Sequence, residues 1–132
     1  MDFVTTKTKR GAMKKILIVE DNEFIVEVMS YILVNRGYEV TSLTDGDEVF
    51  DNINANYPDL LILDDELPGI AGRDICRLIK LNPATENMPI IICSGSDTID
   101  ESLTQVGAPN DVLHKPFDID SLVSKVQFQL AA

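Results

Sequence analysis

Pro58-Asp59-Leu60-Leu61-Ile62-Leu63-Asp64 carries four consecutive aliphatic residues from a proline turn directly into a carboxylate. A short unbroken apolar run bounded by turn residues reads as a strand covered on both faces, the habit of parallel sheets. Three other stretches repeat the arrangement. Ile16-Leu17-Ile18-Val19 runs into Glu20-Asp21, Ile90-Ile91-Ile92-Cys93 into Ser94, and Val112-Leu113-His114 into Lys115. If all four lie parallel in one sheet, their polar tips share its carboxyl edge, where open α/β sheets carry their ligands.

The intervening segments supply the crossovers that parallel strands require. After a strand from Lys15 to Glu20, the residues Phe24, Ile25, Val28, Met29, Ile32 and Leu33 follow helical spacing and Gly37 provides a C-cap. Tyr38 to Leu43 alternates as a second strand. Thr44-Asp45-Gly46 opens a second helix with Val49, Phe50 and Ile53, and Tyr57-Pro58 closes that unit. Ile75, Leu78 and Ile79 mark a third helix ending near Asn82-Pro83, Ile99, Leu103 and Val106 a short fourth, and Ile119, Leu122, Val123, Val126 and Leu130 a fifth. Five strands alternating with five helices predict an α/β fold in which helices cover both faces of a parallel sheet.

The 132 residues fit one domain with its own core, with no apolar stretch long enough to span a bilayer and no signal-peptide pattern, so a cytoplasmic protein without a membrane partner is expected. Residues 1–13 read as a flexible tail in which Gly11-Ala12-Met13 resembles an expression scar, and residues 14–132 as the domain. Lys7, Lys9, Arg10, Lys14 and Lys15 against Asp2 give the first fifteen residues +4, which leaves −15 for the rest of a chain of net charge −11. A body that acidic does not bind nucleic acid by counterion release; it suits metal ions or basic surfaces. Cys76 and Cys93 stand far apart in apolar contexts, without metal-ligand spacing, and read as buried small hydrophobes.

At the carboxyl edge, Glu20, Asp21 and Asp64 would gather several negative charges. At an effective dielectric near 20, two unit charges about 4 Å apart repel by about 4 kcal/mol, so the cluster must take up protons or a cation. Magnesium is the natural partner, since it accepts one or two carboxylates and completes its shell with water and phosphate oxygens. With the acids neutralised, a carboxylate oxygen can attack a phosphoryl donor while Lys115 spreads the charge of the transferring group. Asp64, at the end of a strand expected to be central, is the candidate nucleophile. Ser94 suits a hydrogen bond to a phosphoryl oxygen, and Lys115 an ion pair with another.

These residues resemble the receiver domains of two-component response regulators. Asp64 followed by Leu67-Pro68-Gly69 and Gly72 matches the family's phosphoacceptor segment, and Glu20-Asp21 its acidic pair. Ser94 falls at the Ser/Thr switch position, and Lys115-Pro116-Phe117 matches the Lys-Pro-Phe signature. The resemblance runs from about Lys14 to Leu130. It implies a three-layer, doubly wound, flavodoxin-like fold with strand order 2-1-3-4-5 and a cis Lys115-Pro116 bond. It further implies that Asp21, Asp64 and the backbone carbonyl of Glu66 hold Mg²⁺, or Mn²⁺ in its place, with Glu20 reaching the ion through water. Asp64 would accept a phosphoryl group from a phosphohistidine on a histidine kinase or phosphotransfer protein. Ser94 and Lys115 would then move toward it and shift the face of the fourth helix, fifth strand and fifth helix, which binds a downstream protein. Such a chain is a switch that catalyses only its own phosphorylation and dephosphorylation.

Three positions depart from the family's pattern. Val112 stands where an aromatic residue is usual, and the stretch from Gly107 to Lys115 is one residue longer and contains Pro109. Glu66 adds a carboxylate two residues after the acceptor, where it is expected to set the lifetime of the phosphorylated state together with Ser96. Asp65 reads as solvated, and His114 as a packing residue on the far side of its strand. An aspartate-nucleophile phosphatase resembling the haloacid dehalogenases is the alternative, although it would need an aspartate where Glu66 stands. A flavodoxin-type cofactor binder would need a phosphate loop after the first strand, where Glu20-Asp21 would repel it. A receiver-like module that binds partners without phosphorylation is favoured only by Val112 and the longer loop.

Overall fold

The computed structural model describes residues 13–131, so the tail expected over residues 1–13 lies, apart from Met13, outside the described residues. Along the chain run β1 (Lys15–Val19), α1 (Glu23–Val34), β2 (Glu39–Leu43), α2 (Val49–Ala55), β3 (Leu60–Asp64), α3 (Gly72–Lys80) and β4 (Ile90–Ser94). A 3-10 helix (Ile99–Thr104), β5 (Asp111–His114) and α4 (Ile119–Leu130) follow. All strands are parallel in one sheet, ordered β2-β1-β3-β4-β5 as expected.

Side-chain alternation divides the core. Leu17, Val19, Leu61, Leu63, Ile90 and Ile92 face one layer, where they pack with Val49 and Ile53 of α2, Ile75 and Ile79 of α3, and Ile99 of the 3-10 helix. Ile16, Ile18, Leu60, Ile62, Ile91 and Cys93 face the other, against Met29, Ile32 and Leu33 of α1 and Leu122, Val123 and Val126 of α4. β3 and β4 are buried along their whole length, as their unbroken apolar runs foretell. Each fully buried Leu or Ile contributes about 1.5–3 kcal/mol, so these central strands anchor everything at their tips.

The helices depart from expectation where the apolar spacing is thin. The fourth is a 3-10 helix: only Ile99 and Ser102 of its residues are buried, three positions apart, and the Ser102 hydroxyl donates to the Ile99 carbonyl at 2.7 Å. That repeat suits three residues per turn. Leu103 and Val106, expected on its inner face, are exposed, as are Phe24 of α1, Leu78 of α3 and Ile119 of α4. The second helix begins at Val49, because residues 44–48 form turns rather than a first helical turn. Helix α1 stops at Val34, and Gly37 takes φ +93° in the turn beyond it. Its start is firmly capped, with the Asn22 side chain accepting from the Ile25 N–H at 3.1 Å.

Candidate functional site

Strand register assembles the site. Val19 pairs with Leu63, so the residues that follow them, Glu20 and Asp64, stand side by side at the centre of the carboxyl edge. Ser94 pairs with His114, which brings Lys115 just past the tip of β4, where its N–H donates to the Ser94 carbonyl at 2.7 Å. The Lys115–Pro116 peptide is cis, as the family resemblance implies. Gly72, at the start of α3, closes the floor: a Cβ there would stand 2.2 Å from the Asp64 carbonyl oxygen. Only glycine lets the helix approach the acceptor strand this closely.

Glu20 and Asp64 are each 2 % exposed, and Asp21 is exposed beside them. Lys115 Nζ lies 2.8 Å from Glu20 Oε1 and 3.2 Å from Asp64 Oδ1. Asp64 Oδ1 also accepts from the Glu66 N–H at 3.2 Å. Asp64 Oδ2 has no hydrogen-bond donor among the described residues, yet it is not sealed from solvent, so it is the oxygen open to a reaction partner. Burial, reinforced by the charge of Glu20, pushes the Asp64 carboxyl up to about 6, while Lys115 and the Glu66 N–H pull the other way. For Lys115, burial pulls toward neutrality, but contact with Glu20 and the charges of Asp64 and Glu20 outweigh it and hold the ammonium above the ordinary lysine value. The thiol of Cys93, beneath the site, is pushed up to about 12 by burial, and that of Cys76 likewise, so neither is a nucleophile at neutral pH.

The residues present fit a hard divalent cation. One oxygen from each of Glu20, Asp21 and Asp64 falls within a 4.8 Å cluster. Glu20 Oε2 accepts from the Asn22 N–H at 3.1 Å, but Oε1 is fully buried and receives no aligned hydrogen bond among the described residues; Lys115 approaches it as an ion pair only. An all-oxygen set drawn from three carboxylates, one of them with an under-satisfied buried oxygen, suits Mg²⁺ and gives no foothold to softer metals. The Glu66 carbonyl accepts no hydrogen bond among the described residues and is available to the same ion.

Ser94 makes no hydrogen bond to Asp64 among the described residues. On β4 it falls on the α3 side of the sheet, while Asp64, paired with Cys93, falls on the α1 side. The Ser94 hydroxyl instead donates to Glu66 Oε2, and Glu66 Oε1 accepts from the Gly95 N–H at 3.2 Å.

Asp65 is buried, not solvated. Its carboxylate accepts from the Arg73 side chain through Nε and Nη2, the latter at 2.7 Å, and from the Arg73 N–H at 3.0 Å. It thereby binds the guanidinium in a fork and caps the first turn of α3. Arg73 Nη2 reaches on to Thr98 Oγ1, whose hydroxyl contacts Ser96 Oγ at 2.9 Å. Sequence reasoning missed this chain because its only signal is an acid and a base eight residues apart across a turn. His114 likewise proves exposed rather than packed, and its Nε2 lies 3.0 Å from Asp100 of the 3-10 helix. Val112, at the position the family usually fills with an aromatic residue, is buried with Ile99 in the α3-side core.

This geometry agrees with the relatives. The family model for the response regulator receiver domain matches residues 16–127. The phosphate regulon transcriptional regulatory protein PhoB of Rhizobium meliloti is 34% identical over 119 residues, covering 89% of this chain and 52% of that protein. The response regulator ArlR of Staphylococcus aureus is 37% identical over 116 residues, covering 87% and 52%. The chain thus spans about half the length of the curated relatives it matches. Among solved structures, the receiver domain of a signal transduction histidine kinase from Syntrophus aciditrophicus superposes with a TM-score of 0.82 at 30% identity, covering 89% of this chain and 90% of that one. Register, acidic cluster and sequence kinship all point one way, and the chain belongs to the response regulator receiver domain family.

Proposed function

We propose that this chain accepts a phosphoryl group onto Asp64 from a phosphohistidine on a histidine kinase or phosphotransfer protein, in a reaction that depends on Mg²⁺. The observation that carries the reading is a strand-end carboxylate with one oxygen open, set in a 4.8 Å cluster of three acids beside a lysine 3.2 Å away. Bound there, Mg²⁺ would neutralise the acids and the oxygens of the transferring group. Asp21, Asp64 and the Glu66 carbonyl are the residues to hold it, with Glu20 behind them.

Asp64 Oδ2 forms the new O–P bond as the N–P bond of the donor breaks, and the departing imidazole keeps the electron pair and takes a proton. Lys115 holds the carboxylate by Oδ1 and offers its charge to the phosphoryl oxygens. The chain is then a cytoplasmic switch, not an enzyme of metabolism. Its output surface is the face formed by the 3-10 helix, β5 and α4, where a downstream protein binds. The smallness of the 3-10 helix's buried stripe supports that choice, because a lightly anchored element moves at low cost.

Intact-mass measurement after incubation with acetyl phosphate tests the reading. Wild type with Mg²⁺ gains one phosphoryl group, whereas wild type with chelator and Asp64→Asn gain none. A gain in Asp64→Asn would place the phosphoryl group on another residue and overturn the reading, whereas multiple turnover of small phosphate esters by wild type would favour the phosphatase alternative.

A further inference from the structure

Glu66 occupies the donors that a phosphoryl group at Asp64 would need. A serine hydroxyl has one proton to donate, and Ser94 gives it to Glu66 Oε2. The same hydroxyl accepts from the Ser96 N–H at 2.9 Å, so its one donor is committed to Glu66 while Ser94 is entirely buried. The other Glu66 oxygen takes the Gly95 N–H at 3.2 Å. One carboxylate thus closes over two adjacent donors at the tip of β4. The Glu66 backbone, meanwhile, donates to Asp64 Oδ1, so one residue touches both halves of the site.

We infer that Glu66 is a positioning residue that acts as a latch: its carboxylate holds the Ser94 hydroxyl and the Gly95 N–H in place of phosphoryl oxygens, and must be displaced before they can serve a group on Asp64. The inference rests on the proposed function and adds the competitor that restrains it. The competition is exclusive, because the single Ser94 proton cannot serve both acceptors. It also needs reach as well as charge, since the carboxylate must extend from the loop after β3 to the tip of β4. A shorter side chain with the same charge cannot close the latch.

That difference separates a latch from simple repulsion between Glu66 and a phosphoryl group. The experiment compares wild type, Glu66→Asp and Glu66→Gln by two readouts. Amide hydrogen exchange at Gly95 in the metal-free protein reads the contact itself. Titration with beryllofluoride and Mg²⁺, followed by NMR, reads the affinity for a phosphoryl analogue on Asp64.

In Glu66→Asp the Gly95 amide exchanges about tenfold faster, and both variants bind beryllofluoride about tenfold more tightly, as expected when a charge-assisted competitor is removed. In a Ser94→Ala background the Glu66→Asp gain largely disappears, because there is no hydroxyl left to contest. Wild-type behaviour of Glu66→Asp beside a gain in Glu66→Gln would assign the effect to charge and overturn the latch. Unchanged Gly95 exchange in Glu66→Asp would overturn it as well. If wild type itself fails to take beryllofluoride, the functional reading falls and the latch with it, whatever Gly95 does.

Discussion

On the α1 side of the carboxyl edge, Glu20, Asp64 and Lys115 crowd into a nearly dry space where attraction and repulsion coexist, and one oxygen lacks an aligned donor. On the α3 side, Glu66, Ser94, Gly95, Asp65 and Arg73 form hydrogen bonds in which every buried side-chain polar atom has a partner. The first arrangement is tense without a cation and the second is satisfied without one. A fold whose interior strands are this heavily packed can hold the tense half in place, and the satisfied half then sets how readily the site changes state.

Removing the one cation of the tense half should be the most damaging change. Lys115→Met strands two buried carboxylates, and breaking a buried ion cluster costs about 3–5 kcal/mol. The 19 % exposure of Lys115 places the loss at the lower end of that range. Urea unfolding of metal-free protein should show a loss of about 3 kcal/mol at pH 7.5 that shrinks on acidification, because the Asp64 carboxyl, already raised by burial, then protonates. Saturating Mg²⁺ should return part of it. A loss that persists with Mg²⁺ and ignores pH would mean that Lys115 serves packing rather than charge.

The converse change should stabilise. The Asp64 carboxyl sits at about 6 in the fold, pushed up first by burial and then by Glu20, against about 3.9 for an unperturbed aspartate. Its folded-state value is the higher one, so the stability it contributes is complete below about pH 4 and lost as pH rises through 6. At pH 7.5 the ionised side chain therefore costs the metal-free protein up to about 3 kcal/mol. Asp64→Asn should unfold later in urea than wild type at pH 7.5, with the gap closing toward pH 4.5. Mg²⁺ should narrow the gap from the wild-type side.

These contrasts follow how the sequence encodes each half. The apolar runs before Glu20, Asp64 and Lys115 announce buried strands, and parallel register then carries their tips together. The parallel sheet and the acidic cluster were legible for that reason, whereas the strand order was implied by the family resemblance. The satisfied half depends on loops, whose geometry leaves no periodic trace. Asp65 reads as solvated because Arg73 lies beyond Pro68-Gly69, and only the folded turn shows that the two meet. His114 has the alternation of a packing residue, but β5 ends the sheet and the 3-10 helix does not cover it, so it pairs with Asp100 in the open. Phe24 and Leu78 obey helical spacing yet fall at the margins of their buried stripes, a distinction that spacing cannot resolve.

The satisfied half should respond to mutation without heeding metal, and the Asp65–Arg73 pair is the place to see it. Asp65→Asn keeps an oxygen for the Arg73 N–H but removes the charge from the fork, leaving a guanidinium whose side chain is 23 % exposed. Partial exposure lets water replace some of the lost bonds, so a cost of about 1–2 kcal/mol is expected, below that of Lys115→Met. Because neither residue belongs to the acidic cluster, this loss should be the same with Mg²⁺ and with chelator, and flat between pH 6 and 8. Replacing both residues, Asp65→Leu with Arg73→Met, should cost less than the sum of the single changes, since an apolar pair leaves no orphaned charge. The α3 cap would still be missing, and that alone should leave about 1 kcal/mol unrecovered. A Mg²⁺-sensitive loss in Asp65→Asn would instead tie the pair to the cation site and erase the division between the two halves.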